Sequence, residues 1–580
     1  MSENRLEISG FQGVDFSNNV VDIDTRHSPD SLNMILDEKF RLTKRKGYEI
    51  YSPIPSGEVN GMYSIIKNGE EFLFVHISEK ITRIKENEFI TQEIPGVRHL
   101  NGKTKGFVFN DMLYVIGGGR YLRFDGTKWE DVSSFAYIPT VRIGMKPDGS
   151  GTNFESVNLL TNSMKNSFIG DGSSTVFYLS LNGTAVVKSV YVGGDLCGHD
   201  DYSVSGNAVT FKTAPPDGKG IDNVVITFSD YWKDQNQNIS PIEKCDTYGI
   251  YGGDNDTRVF LTGNPEEPNV DYQSGLYDPT YFPDTGYTKV GSSNNRIMGY
   301  AKVNDCQIIV KSDNRQSVTH YLRTFSLDSN NTAYFPIKQG IEGVGAINQN
   351  FINVMGRTLY LSSEGLLFLQ STDVNSQYIT KNVSKRINGK LKNEKDLQKA
   401  KLFALNDKIY ICVNGHCYVG DTRLFSNEYG YEWQYWDIKA EEMGVMNNTI
   451  YFVYQDTVYT YICRFNDSLN DENQPINSYW KTGLMNLGTS EYYKNVTNIY
   501  LGLTPLDQTQ KCDFGYYNED GYSLIDNIEF EPCEVAEIIG TGEKVKKTEY
   551  LQLEVKNDEK DGILSVERMI VNFEVNKKIK

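Results

Sequence analysis

The sequence predicts an all-β protein: a β-propeller of about seven blades, with an inserted β-sandwich and a C-terminal β-sandwich platform. The first observation behind this is a recurring hairpin, in which an apolar or aromatic strand, a short Gly/Asn/Asp turn and a second aromatic strand follow one another. Copies start at Glu71 (EFLFVHISEKITRI), Asp111 (DMLYVIGGGRYLRFDGTKW), Asp256 (DTRVFLTGNPEEPNVDY), Cys306 (CQIIVKSDNRQSVTHYL), Arg357 (RTLYLSSEGLLFLQ), Asp407 (DKIYICVNGHCYVGD) and Asn448 (NTIYFVYQDTVYTYI). The second is their spacing. All but one of the gaps fall near the roughly 40–50 residues of a four-stranded blade, and the exception does so once an insertion of about 95 residues is removed. The third is composition: 38 Tyr and 28 Phe in 580 residues, with 39% hydrophobic and 23% charged residues, favour strands in a folded protein over helices or disorder. A four-stranded blade cannot cover both of its faces alone, whereas radial stacking covers each sheet with the next.

Taken in order, residues 1–57 read as an N-terminal arm with the first propeller strands and 58–150 as the first part of the propeller. Residues 151–240 read as the inserted sandwich. Its sequences SFIGDGSSTVFYLSLNGTAVVKSVYVGG and DDYSVSGNAVTFKTAPPDGKGIDNVVITFS are alternating strands punctuated by GDGSS, NG, SGN and PPDGKG, with the sandwich core at 167–229. Propeller strands resume over 241–470. After the polar stretch NDSLNDENQPIN, residues 471–580 read as a second sandwich, with room for strands that return to the propeller. Helix is scarce, and the two candidate helices are short: SPDSLNMILDEKF, opened by Ser-Pro, and KLKNEKDLQKAKLF.

No window approaches the roughly 18–20 apolar residues of a membrane-spanning helix, and the opening MSENRLEISG lacks the basic and apolar regions of a secretory signal. The net charge of −18 disfavours tight binding to a phosphate backbone. It is compatible with DNA sliding past an acidic wall. Eight cysteines without a CxxC pair suggest free thiols, neither a zinc site nor a disulfide framework.

Motifs for chemistry are absent or mismatched. FDGTKW, 124–129, lacks the spacing of a sialidase Asp-box and reads as an Asp-Gly turn over a packed Trp. Asp254 with Asp256, and Asp467 with Asp471 and Glu472, carry loop oxygens that could hold calcium but miss the EF-hand pattern. The six histidines, His27, His76, His99, His199, His320 and His416, show no HExxH or HxH spacing. His416 between Cys412 and Cys417 invites a metal reading, yet the ICVNGHCYV hairpin turns at Asn414-Gly415 without one. No phosphate loop or GxSxG occurs, so no enzyme activity and no cofactor are expected. The run RLTKRKG, 41–47, reads as the one dense basic cluster, either a solvated turn or a contact for DNA or an acidic neighbour.

Three stretches resemble the tail nozzle, or packaged-DNA stabilisation, proteins of short-tailed bacteriophages, also called tail tubular protein B. In the opening GFQGVDFSNN…SPDSLNMILDEKFRLTKRKGYEIY, Asn33, placed in a short helix, with Lys44, Arg45, Gly47 and Tyr48, holds the family positions. In RVFLTGNPEEPNVDYQSGLYDPTYFPDTGYTKVGSSNNRIMGYAKVNDCQIIVKSD they are Arg258, Gly263, Asn264, Pro265, Tyr272, Ser274, Asp278, Pro279, Tyr281, Phe282, Gly291 and Ile297. The third stretch is KKTEYLQLEVKNDEKDGILSVERMIVNFEV.

The resemblance implies a structural virion protein of the tail, made and assembled in the host cytoplasm. It would form a homo-oligomeric ring, a hexamer by analogy, below the portal and adaptor, touching the adaptor and other tail proteins. The ring would retain packaged DNA and let it pass during ejection without sequence-specific binding. The alternative is a carbohydrate-binding or carbohydrate-cleaving propeller of tail-fibre or spike type, with YDPTYFPDTGY and FSNEYGYEWQYW as aromatic platforms.

Overall fold

Among the described residues seven four-stranded antiparallel sheets follow one another along the chain, and each recurring hairpin forms the middle pair of one of them. Blade 1 is Val59–Lys67, Glu70–Ile77, Lys80–Lys85 and Glu88–Thr91. Blade 2 is Thr104–Phe109, Met112–Gly117, Arg120–Phe124 and Trp129–Asp131. Blade 3 is Thr247–Tyr251, Arg258–Thr262, Val270–Gln273 and Tyr287–Lys289. Blade 4 is Ile297–Val303, Cys306–Lys311, His320–Arg323 and Ile337–Gln339. Blade 5 is Phe351–Val354, Arg357–Ser362, Gly365–Ser371 and Tyr378–Asn382, and blade 6 is Lys401–Leu405, Lys408–Val413, His416–Ser426 and Gly430–Trp436. The computed structural model describes residues 3–55, 57–85, 88–96, 98–235, 239–371, 378–488, 490–532, 537–540, 545–560 and 562–578.

Blade 7 takes three strands from late in the chain, Glu442–Met446, Thr449–Gln455 and Tyr459–Phe465, and its fourth, Tyr48–Pro55, from near the start. The ring therefore closes by strand pairing between the two ends of the propeller sequence. Gly118-Gly119 and Asn414-Gly415 inside the hairpins of blades 2 and 6, and Asn68-Gly69, Asn110-Asp111, Asn406-Asp407 and Asn447-Asn448 just before four of the hairpins, have φ between 47° and 84° at both positions, the left-handed pair that a two-residue hairpin needs. Adjacent blades pack through small residues on the innermost strands. A Cβ on Gly249 of blade 3 would lie 2.6 Å from the Tyr300 ring of blade 4.

The inserted sandwich consists of a six-stranded sheet and the three-stranded sheet Val176–Tyr178, Ala208–Phe211 and Tyr202–Ser205, packed on Phe168, Phe177, Val209, Ile226 and Phe228. The six-stranded sheet starts earlier than the expected boundary at 151. Thr140–Met145 pairs in parallel with Ser163–Phe168 and antiparallel with the two residues Thr152–Asn153, so the expected boundary falls in a turn that joins two strands of one sheet.

The C-terminal sandwich is also larger than expected, because residues 1–57 contribute more than an arm. Asn4–Ser9 and Leu42–Lys44 pair with Ser565–Lys578, and Ser31–Leu32 pairs with Ser478–Lys481. Both ends of the chain thus share one core around Phe11, Trp480, Phe514, Leu551 and Met569. No strand after Asp471 pairs with a blade among the described residues. The strand exchange runs the other way, through Tyr48–Pro55.

The expected helix over 28–40 is two short strands, Ser31–Leu32 and Met34–Leu36, broken at Asn33 with φ 54°. Pairing of Ser31 with Trp480 across the sandwich overrides the local helical spacing. The second expected helix shrinks to the four residues Asn388–Leu391 and a 3₁₀ turn, Leu397–Lys399, before the first strand of blade 6.

One buried ion pair locks blades 3 and 4. Arg323 and Asp271 are both almost fully buried and meet through two bonds of 2.7 and 2.8 Å. Tyr300 donates to the same carboxylate at 3.1 Å, and Arg323 also donates to Gln307 at 2.9 Å. Asp271→Ala strands a buried guanidinium and is expected to destabilise the propeller by about 3–5 kcal/mol, read as a lowered unfolding midpoint in urea.

Burial also sets an acid limit. His76 and His320 are both drawn down to about 4 by desolvation, and His320 Nε2 lies 2.9 Å from the Tyr360 hydroxyl of blade 5. Between about pH 6.5 and 4 the unfolded chain binds protons that the folded chain refuses, so stability rises with pH across this window. The melting temperature is expected to fall as pH drops from 6.5 toward 4, and less steeply in His320→Gln.

Candidate functional site

The innermost strands of the blades surround an axial cavity of about 1520 Å³, of ligand size. Lys105 of blade 2 reaches across it: its ammonium donates to the Gln349 carbonyl beside blade 5 at 2.6 Å and to Thr247 Oγ1 at 3.1 Å. The Gln349 amide in turn donates to Asp246 Oδ1 at 2.7 Å and to Thr247 at 2.8 Å. Burial pulls Lys105 down to about 8. Blades 2 and 5 are as far apart as a seven-membered ring allows, so this bond bars the axis at one level.

The cavity carboxylates are committed to partners. Asp246 pairs with Arg296, Glu442 with Lys401 at 2.5 Å, Asp256 with Lys302 at 3.2 Å and Asp396 with Lys399 at 3.2 Å, while Glu441 accepts the Gln455 amide at 3.1 Å. Glycoside hydrolysis needs one carboxyl kept protonated and a second free to act as base or nucleophile about 5–10 Å away. In this cavity the four ion pairs and the Glu441 bond tie the carboxylates to neighbouring groups of the chain.

The positions matched in the opening stretch converge elsewhere, where the arm, the propeller and the C-terminal sandwich meet. Arg45 is 1% exposed and donates to Asp471 through two bonds, at 2.9 and 2.5 Å, to Asp437 at 3.2 Å and to Asn33 Oδ1 at 2.9 Å. Asn33 Oδ1 also accepts the Asp437 amide, and its Nδ2 donates to the Asn477 carbonyl at 2.8 Å. Lys44 is 3% exposed and donates to Asn557 Oδ1 at 3.1 Å and the Glu559 carbonyl at 2.8 Å. A side chain on Gly47 would overlap the Asn470 carbonyl, and Tyr48 packs edge-on against Phe452 at 5.0 Å.

The run 41–47 is therefore a buried cross-brace in the main, with Lys46 at its exposed tip. Asp471 is Arg45's partner, Glu472 accepts the Ile50 amide and Asp256 pairs with Lys302, so these loop acids serve bonds within the chain. No group of three or more metal-ligating side chains occurs among the described residues.

The blade 3 positions are likewise braces. Arg258 donates to the Ser274 carbonyl at 2.7 Å, Ser274 Oγ accepts the Val259 amide at 3.0 Å, and the Tyr272 hydroxyl bonds Glu267. Gly263 sits at φ 95° against the Asp246 carboxylate, Asn264 Oδ1 caps the Glu266 amide at 3.0 Å, and Pro265 lies exposed on that turn. Asp278 closes its own turn onto Thr280 at 2.8 Å beside buried Pro279. Phe282, fully buried, and Tyr281 then dock on the stem of the insert, at Asn158 Oδ1 (3.0 Å) and the Ser156 carbonyl (2.9 Å). Gly291 abuts the Tyr321 hydroxyl and Ile297 is fully buried.

One expectation about thiols is corrected: Cys412 and Cys417, directly opposed across the ICVNGHCYV hairpin, form a disulfide. Cys197, Cys245, Cys306, Cys463 and Cys512 are free, and Cys533 lies outside the described residues. Between the two, His416 Nε2 bonds Glu394 at 2.7 Å, and Tyr418 donates to the same carboxylate at 2.6 Å.

The Arg45 junction gives a sharp test. Arg45→Ala leaves Asp471 and Asp437 facing each other without their cation. It is expected to cost about 3–5 kcal/mol and to free the C-terminal sandwich from the propeller, seen as new protease cleavage near 466–477, whereas Lys46→Ala leaves the digest unchanged.

No family model and no curated protein matches the chain. Among solved structures it is similar to an exo-β-1,3-galactanase from Phanerochaete chrysosporium at 9% identity and a TM-score of 0.18, covering 56% of this chain and 95% of that one. It is similar to Hsv2 from Kluyveromyces lactis at 10% identity and a TM-score of 0.25, over 66% of this chain and 97% of that one. A third is the β-propeller domain of Cps50 (Swd1) from Myceliophteria thermophila, at 9% identity and a TM-score of 0.25, over 72% of this chain and 99% of that one. The protein is a seven-bladed β-propeller with two β-sandwiches, as its own sheet order establishes.

Proposed function

We propose that this chain is a structural subunit of a virus tail, a nozzle protein that assembles into a ring below the portal and adaptor, retains packaged DNA and lines its exit. The observation that supports this reading most is what the family-matched residues do. Asn33, Arg45 and Gly47 weld the C-terminal sandwich to the propeller, Lys44 ties the arm into the sandwich, and Asp278–Phe282 weld the insert to the propeller. A resemblance carried by residues that fix the mutual placement of domains belongs to a protein selected for shape. With Lys105 across the propeller axis, the DNA route in this reading is the space that several copies enclose, walled by an acidic surface that phosphates do not grip.

The test is direct. Purified protein is expected to form rings with a central opening in electron micrographs and to release no reducing sugar from host surface polysaccharide. A monomer or trimer that depolymerises such a glycan would replace this reading with the host-recognition one.

A further inference from the structure

Charge is distributed unevenly. Residues 385–401, the connection from blade 5 to blade 6, hold seven basic side chains and two acidic ones, a net +5 in a chain of −18. Four of the seven are engaged: Arg386 with Asp15 and Glu432, Lys390 over the Tyr435 ring, Lys399 with Asp396 and Lys401 with Glu442. Lys385, Lys392 and Lys395 are exposed and have no ion-pair partner among the described residues.

Their backbone is fixed. Ser17 Oγ donates to the Lys385 carbonyl at 2.5 Å and accepts the Gly389 amide at 3.0 Å, and Asn414 Nδ2 holds the Lys395 carbonyl at 2.7 Å. A preformed basic platform has little ordering entropy to lose on binding.

A phosphate backbone is the weaker candidate for its partner. Three free lysines release few counterions, and the remaining −23 of the chain repels a polyanion. The complementary surface is on the chain itself. Gly521–Phe530 is the outermost strand of its sheet, ten residues long and paired on one side among the described residues. With Gln510–Asn518 it makes a hairpin that, through Glu531, carries six acidic residues and one basic one. Tyr522 and Leu524 stand exposed on that strand.

We infer that the basic 385–401 platform of one copy docks on the acidic edge hairpin 510–531 of the next. Two different patches make the contact heterologous, so it repeats head to tail and closes into a ring where the rotation allows. This rests on the ring reading above and names its interface.

The test is a charge swap, with assembly read by mass photometry of the full chain and folding checked by melting temperature. Lys385→Glu/Lys392→Glu/Lys395→Glu and, separately, Asp520→Lys/Asp526→Lys/Glu529→Lys are each expected to weaken assembly by about ten- to a hundredfold. Both sets combined in one chain are expected to restore it. Rings that persist in each set alone, or single-set losses that the combined chain fails to repair, would overturn the interface while leaving the nozzle reading standing. A wild-type chain that stays monomeric at every concentration would sink both. Intact assembly with lost binding to duplex DNA in the lysine set would reassign the platform to nucleic acid.

Discussion

The architecture depends on one buried cation. Arg45 sits three residues before Tyr48–Pro55, the strand that completes blade 7, and three residues after Leu42, which opens the strand joined to the C-terminal sandwich. A chain that leaves one domain and enters another within so few residues has no slack, and the guanidinium fixes the crossing by gripping Asp471 and Asp437 at once. Buried ion pairs rarely stabilise more than a hydrophobic substitute of equal volume, but they tolerate far fewer geometries. Arg45 is a device for angle and register: the sandwich platform can sit on the ring in one way.

The same economy recurs around the propeller. A ring closed by an early strand is sensitive at its seam, and here that seam is covered. Tyr48 packs on Phe452, and earlier in the arm Val14 and Asn33 bond to the outer strand of blade 6, their amides donating to the Trp433 and Tyr435 carbonyls. The arm hides what would otherwise be an unpaired sheet edge, and His27, Asp15, Arg386 and Glu432 pin it there as a buried network. The insert is held by a comparable clasp, Asn158 against Phe282, so both accessory domains are tied to the propeller by side-chain contacts as well as by the chain.

Local features were legible in the sequence and distant ones were not. The middle strands of each blade are largely buried and joined by short connections, two residues in blades 1, 2, 5 and 6, so they appear as short aromatic runs on either side of a turn, and all seven were visible. Thr140–Met145 was hard to place because its hairpin partner is only the two residues Thr152–Asn153 and its longer pairing is parallel, and Leu42–Lys44 because its local partner Met34–Leu36 sits in a segment of helical spacing and its other partner lies at the far end of the chain. The segment 28–40 reads as a helix from its Ser-Pro opening and from Leu32, Ile35 and Leu36 at helical spacing, a pattern that pairing with Trp480 overrules. The basic run at 41–47 read as surface because nothing local shows that Asp471, 426 residues away, will bury Arg45. The small residues of the inner strands carry a further signal, among them Gly106, Gly249 and Gly299, each set against a neighbouring blade's aromatic ring. Spaced like the hairpins, they mark the innermost strand directly.

The charge of the molecule follows from the same sorting. Arg45, Arg120 and Arg323 are among the largest fully buried side chains, and each is matched by carboxylates. Interior pairs cancel, so the net −18 falls on the surface. Like-charged surfaces of this kind keep copies apart at long range and give way only where the sign reverses locally. An acidic body with a small, rigid basic region has specificity built into its repulsion: most mutual orientations are opposed, and few remain to be stabilised by contact.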